Sequence, residues 1–97
     1  MRIIALRTLR EFWQHHPDAE QPLRAWYTNV KRTTWKSPAD VKQAYRNASI
    51  LSAGRVVFNI KGNDYRLVVA IDYTYELIFI RFVGAHRDYD RIDAETI

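Results

Sequence analysis

The apolar residues of this chain change their period at about Ile50, and a fold built from helices alone or strands alone does not accommodate that change. Before it they recur every three to four residues; after it they alternate. The first pattern buries one stripe of a helix and the second buries one face of a strand.

In the first half, Leu6, Leu9, Phe12 and Trp13 fall at helical spacing, with Arg7, Arg10, Glu11 and Gln14 on the other side. Met1 to Ile4 are open to a second reading as a short strand. His15 and His16 close this segment, because Pro17 drives the residue before it out of helical geometry. Leu23, Trp26, Tyr27 and Val30 stand at i, i+3, i+4 and i+7 and predict a second helix from about Pro22, where a missing N–H costs nothing. Ser37-Pro38-Ala39-Asp40 has the order of a third helix start: a serine cap, proline at the first helical position and an acid in the first turn. Val41, Ala44 and Tyr45 then form its inner face.

In the second half, residues 55–61, 65–73 and 76–83 are β-branched and aromatic runs that predict an antiparallel three-strand meander. Gly62-Asn63 suits a two-residue hairpin loop, with glycine where positive φ is needed. Thr74-Tyr75 is a poorer turn sequence, and a four-residue loop from Tyr73 to Glu76 keeps the same facing. Tight loops at both ends set Asn59 opposite Arg66, Val57 opposite Val68, Val68 opposite Arg81 and Arg66 opposite Val83. One face then carries Val56, Phe58, Ile60, Tyr65, Leu67, Val69, Ile71, Ile78, Ile80 and Phe82, and is the core side. The opposite face carries Arg55, Val57, Asn59, Lys61, Arg66, Val68, Ala70, Phe79, Arg81 and Val83. Helices first and a meander after predict an α+β domain, with the N-terminal helices packed on one face of a small antiparallel sheet. The chain of 97 residues is read as one domain, 1–97.

Composition narrows the function classes. A 47% hydrophobic and 27% charged chain is not a disordered one. There is no cysteine, which removes disulfides, cysteine metal sites and cysteine nucleophiles and favours a cytoplasmic setting. The longest apolar runs, 67–71 and 77–80, fall far short of the roughly 20 residues of a membrane span. No signal-peptide pattern, glycine-rich phosphate loop, Gly-x-Ser-x-Gly elbow or metal-type histidine pair is present. Lys and Arg number 15 against 11 Asp and Glu, for a net charge of +4, and eleven of the cations are arginine. Arginine's planar fork matches phosphate oxygens in pairs, so an anionic partner, nucleic acid first, is expected. A solvated basic surface is the competing reading.

The facing arithmetic gathers the chemistry on the second sheet face. Arg66 and Arg81 fall diagonally across neighbouring strands, about 7–8 Å apart, where like charges are unfavourable unless they share an anion. Lys61 flanks the same hairpin end as Arg66. His86 follows the last strand and is placed to exchange a proton near neutral pH, with Tyr89 and Asp90 next to orient it, or with Tyr89 stacking on a base. Each has a plainer alternative: solvated arginines lying over Val68 and Val83, a surface histidine, and a polar helical turn closing the domain. His15 and His16 are read as surface residues.

The stretch Val56-Val57-Phe58-Asn59-Ile60-Lys61-Gly62-Asn63-Asp64-Tyr65-Arg66-Leu67-Val68 resembles the HigB family of bacterial toxins. So do Ile78-Phe79-Ile80-Arg81-Phe82-Val83-Gly84-Ala85-His86 and Asp88-Tyr89-Asp90. Phe12-Trp13, Pro17-Asp18-Ala19, Leu23-Arg24-Ala25-Trp26-Tyr27 and Trp35-Lys36-Ser37-Pro38-Ala39-Asp40 are similar to the same family. The resemblance implies a RelE-like fold and a messenger RNA endonuclease working on the translating ribosome. It also implies a HigA-type antitoxin that neutralises the toxin and carries the helix-turn-helix for operator DNA. A metal-free endonuclease of this kind, needing no cofactor, directs the 2′-hydroxyl at the adjacent phosphorus, which calls for a base, an acid and a cationic clamp. The expected catalytic set is Lys61, Arg66, Arg81, His86 and Tyr89, with Arg55, Asn59 and Asn63 contacting RNA. Arg7, Arg10, Arg24, Lys31 and Arg32 are expected to meet ribosomal RNA. A non-catalytic RNA- or ribosome-binding module and a protein-interaction domain are the rival readings.

Overall fold

A computed structural model describes all residues, Met1–Ile97. The elements run β1 (Arg2–Ile4), α1 (Leu6–His15), a 3₁₀ turn (Pro17–Ala19), α2 (Glu20–Lys31) and α3 (Pro38–Ala44). They continue as β2 (Ser49–Ile50), β3 (Arg55–Ile60), β4 (Tyr65–Asp72), β5 (Leu77–Ala85) and α4 (His86–Tyr89). The architecture is α+β, as expected. The meander β3-β4-β5 is the centre of a five-stranded sheet ordered β1-β5-β4-β3-β2. Residues 2–4 form the strand alternative, and β1 runs parallel to β5 with Ile3 beside Ile78. The sheet is therefore antiparallel except at that edge.

The helices form where the spacing places them, with three local differences. α2 begins at Glu20, two residues before Pro22, because the 3₁₀ turn after Pro17 feeds directly into it. α3 starts at Pro38 as expected, yet the Ser37 hydroxyl makes no cap bond; the Asp40 carboxylate accepts the Lys36 N–H at 2.9 Å instead. Ala44 is exposed rather than inward, leaving Val41 and Tyr45 to hold α3 down.

The main core lies between the helices and one sheet face. Leu9, Trp13, Leu23, Trp26, Val30 and Val41 from the helices meet Val56, Phe58, Leu67, Val69 and Ile78. Phe58 is its hub, with ring centroids 5.3 Å from Trp26, 6.2 Å from Trp35 and 5.1 Å from Tyr45. Each such pair adds about 0.5–1.5 kcal/mol beyond the area it buries.

The register of β3 on β4 is the expected one, with Asn59 opposite Arg66 and Val57 opposite Val68. Between β4 and β5 it holds only as far as Val69 opposite Ile80. A β-bulge follows: Val68 pairs with Phe82, not Arg81, and Arg66 with Gly84, not Val83. An inserted residue reverses the facing of everything beyond it. Phe82 therefore leaves the helix side, and Val83 and Ala85 take it. The second face is not an open floor either. Residues 89–97 fold back over it, so that Val57, Val68 and Ala94 are buried together with Leu51, Phe82, Tyr89, Ile92 and Ile97 around them.

The turns obtain their shape from side chains. The Asp72 carboxylate accepts the N–H groups of Thr74 and Tyr75, each at 3.0 Å, which compensates for a weak turn sequence. Gly62 has φ +63°, the conformation expected of glycine there, and Lys61 also lies in the left-handed region at φ +53°. No helix is long and apolar enough to cross a membrane.

Phe58→Ala removes the ring on which Trp26, Trp35 and Tyr45 converge. A loss of about 3–5 kcal/mol is expected, a large part of a small domain's stability, and is measured as a lowered urea midpoint with altered tryptophan fluorescence.

Candidate active site

Arg66 is the centre of the polar cluster at the hairpin end of the sheet. It stands on β4 beside Asn59 on β3, and its Nη1 donates to the Asn59 Oδ1 and to the Asn63 Oδ1, the latter at 3.1 Å. Its guanidinium lies 5.8 Å from the centre of the Tyr89 ring. Tyr89 is carried there by α4, which turns back over the sheet immediately after β5 and sets its ring 6.5 Å from Phe82. Gly84, opposite Arg66, is what makes room: a Cβ at that position would stand 2.5 Å from the Phe82 Cζ. Three expected residues, Asn59, Asn63 and Tyr89, thus meet around a fourth, Arg66. All its side-chain partners are neutral, so its charge is not cancelled by any carboxylate.

His86 begins α4 at the same end of the sheet, since the residue before it, Ala85, pairs with Tyr65. Its Nδ1 is 3.4 Å from the Asp90 Oδ2, one helical turn on, and its side chain is 49% exposed. The contact sets one ring nitrogen against a carboxylate and leaves Nε2 without a protein hydrogen-bond partner. Asp90 therefore orients His86, one of the two candidates for that role, whereas Tyr89 goes to Arg66.

Lys61, Arg81 and Arg55 stand apart from this group. Lys61 is not on the Arg66 face where alternation places it. Its Nζ instead reaches the helix side, 2.9 Å from Asp18 and 3.3 Å from Asp64, because its left-handed backbone ends the strand alternation. Arg81 is the bulged residue, not the diagonal neighbour of Arg66. It stands three positions before Gly84, about 10 Å along the strand, and its guanidinium lies over the Phe79 ring at 5.4 Å. Arg55 is engaged by backbone carbonyls, donating from Nε and Nη2 to Ile97 and from Nη1 to Ala53. It ties residues 89–97 to β3.

Beside the cluster lies a network that sequence reasoning misses. The Tyr65 hydroxyl donates to Asp18 Oδ1 at 2.5 Å while Lys61 holds Oδ2. His16 is not the surface residue expected; it is half-buried, stacks on Phe12 at 4.2 Å and meets Tyr65 edge-on at 5.7 Å. The Tyr65 hydroxyl bond and the Lys61 ammonium hold the Asp18 carboxyl below its usual range. Asp18, followed by Asp64, pushes Lys61 up, and Asp18 with burial pushes Tyr65 up. These contacts fix the turn from Lys61 to Asp64, and with it Asn63 against Arg66. The only sequence signal is an acid after Pro17, with no indication of its partner. No group of three or more His, Cys, Asp or Glu side chains is assembled as a metal site.

The network's signs give a pH test. Asp18, lowered in the fold, contributes stability above its unfolded pKa of about 4 that disappears as pH falls through the lower folded value. Lys61 and Tyr65, raised in the fold, contribute below about pH 10 and lose that contribution as pH rises through their folded values. The urea midpoint is expected to fall on both sides of this window, and Asp18→Asn is expected to flatten the acid limb.

Comparison with known proteins agrees with this fold. A family model described as HigB_toxin, RelE-like toxic component of a toxin-antitoxin system, matches residues 19–92. An mRNA interferase HigB from Escherichia coli O6:H1 is 22% identical over 94 residues, covering 95% of this chain and 91% of that protein. The mRNA interferase toxin HigB of Escherichia coli strain K12 is 26% identical over 93 residues, covering 93% of this chain and 88% of its own length. An mRNA interferase HigB from Shigella flexneri matches with the same figures.

Proposed function

The chain belongs to the HigB family of RelE-like toxins, and we propose that it is the toxin of a type II toxin–antitoxin pair, an endoribonuclease that cuts messenger RNA on the translating ribosome. The observation that carries this reading is Arg66, an uncancelled guanidinium held by two amides and an aromatic ring at the sheet end that also carries His86.

The reaction is a transesterification that side chains alone can run. The 2′-oxygen forms a bond to phosphorus as its proton passes to a base. The bond from phosphorus to the 5′-oxygen breaks, and that oxygen takes a proton. A 2′,3′-cyclic phosphate and a 5′-hydroxyl remain. Arg66 binds the non-bridging oxygens as negative charge builds on them, the demand for which a positioned cation is most effective. His86 exchanges the proton through its free Nε2, held by Asp90. Tyr89, its ring against the Arg66 guanidinium, helps to hold that cation in place. Lys61, neutralised by Asp18 and Asp64, keeps the turn in place and so acts as a positioning residue. Arg81 is assigned to a neighbouring phosphate along the strand, and Arg55 to the fold. Arg10 on α1 and Arg32 just past the end of α2, both exposed and without an ion pair, suit contact with ribosomal RNA. The partners are a HigA-type antitoxin, the ribosome and its message, in the cytoplasm; operator DNA is reached through the antitoxin.

His86→Ala is expected to slow cleavage of a ribosome-bound message by about 10²–10⁴-fold. Arg66→Ala is expected to slow it by about 10²-fold or more while the antitoxin still binds. Primer extension on the message measures both. Cleavage at the wild-type rate by both variants rejects the site. Full growth inhibition by the double variant, with intact message, assigns the chain to the non-catalytic binding class.

A further inference from the structure

A cleft of about 330 Å³ opens between the chain that follows α3 and the end of β3, next to Arg66. Tyr45, Arg46 and Asn47 form one wall, and Asn59 and Gly62 lie across from them. We propose that this cleft seats one nucleotide of the RNA strand beside the phosphate that is cut, and that its lining sets the nucleotide preference of the cut. The inference rests on the RNA-cutting function proposed above.

The cleft is joined to the phosphate site through one residue. The Asn59 Oδ1 is taken by Arg66, which leaves the two amide hydrogens of the same side chain for whatever enters the cleft. An RNA strand with a phosphate on Arg66 therefore brings a neighbouring nucleotide to Asn59. Asn47 combines a donor and an acceptor, the pair that reads a base edge, Asn59 adds its amide donors, and Tyr45 supplies an aromatic wall. Arg46 stands at the rim, exposed and in no ion pair, where the next phosphate of the strand would pass.

The wall is built in advance. Lys42 donates to the Ala48 carbonyl at 2.6 Å and the Ala48 N–H returns to Tyr45 at 3.0 Å, closing residues 42–48 on themselves. On the other side a Cβ at Gly62 would meet nothing within 4 Å, so the mouth is open toward the hairpin. The volume is at the small end for a ligand site, and a helix about 10 Å across does not enter it. Size and lining thus favour a single nucleotide over a segment of a protein partner.

The test compares wild type with Arg46→Glu and Asn47→Ala, both at exposed positions, on purified ribosomes carrying a library of messages, with cut sites mapped by sequencing of the new ends. Circular dichroism confirms that both variants are folded. Arg46→Glu is expected to lower kcat/KM by about tenfold or more, mainly through KM, as the loss of a phosphate contact predicts. Asn47→Ala is expected to redistribute cuts among the nucleotides flanking the site. Wild-type rate and cut distribution in both variants overturns the cleft while leaving the RNA-cutting reading intact. A slower rate with an unaltered distribution in both assigns the residues to ribosome docking and also overturns it. Loss of antitoxin binding by Arg46→Glu with normal cutting makes the cleft a protein contact and overturns the nucleotide site as well. Absence of cutting by the wild-type chain rejects the parent function, and this inference with it.

Discussion

Both faces of this sheet depend on the one extra residue in β5. Without the bulge, Phe82 would join the helix-side core and Val83 would sit on the opposite face, beside Arg66. With it, Val83 and Ala85 complete the large core, and Phe82 becomes available to the smaller one. Residues 89–97 then have an apolar surface to cover, made of Val57, Val68 and Phe82. Covering it is what brings Tyr89 back to Arg66. A local irregularity in one strand thereby governs both the burial of the second face and the surroundings of the central cation. A chain of this size, which gains little burial from a single interface, benefits from having its sheet covered on both sides.

Charge compensation then separates cations that composition treats alike. Lys61 lies between two carboxylates and Arg55 is spent on carbonyls. Arg66 is held just as firmly, but by amide oxygens and a ring, which orient a guanidinium without neutralising it. A phosphate approaching this end of the sheet meets one positioned, uncancelled charge. The network of Asp18, Tyr65 and Lys61 contributes indirectly, since it fixes the turn that presents Asn63. At a half-exposed site such ion pairs are worth little to stability, and their effect is on where atoms stand.

The parts of this arrangement that are legible in the sequence are local. The change of period locates the helices and the meander, and Gly62 fixes the hairpin that sets Asn59 opposite Arg66. His86 and Asp90 are one helical turn apart in the sequence and are so in the fold. What stays hidden needs information from afar. The bulge leaves no mark, because Ile80-Arg81-Phe82-Val83 alternates acceptably in either register. Asp18 and Lys61 are separated by 43 positions, so nothing near either one names the other. The folding of residues 89–97 over the sheet is equally invisible, because half-apolar strand faces also occur on surfaces exposed to water.

The exposure of the site bears on how such a toxin must work. The His86 side chain is half-exposed, and Arg66 sits on an open sheet end rather than at the bottom of a pocket. In that setting water screens the guanidinium, and a free RNA strand retains many orientations, few of them with the 2′-oxygen in line with the bond to be broken. The proposed site offers a cation and a histidine, but it provides neither enclosure nor alignment for a strand. A large surface that holds the message and closes over Arg66 and His86 would supply both, raising the value of each charge by excluding water. For the activity proposed above, the shallowness of the site is a physical reason to expect dependence on such a surface, the part the ribosome would take.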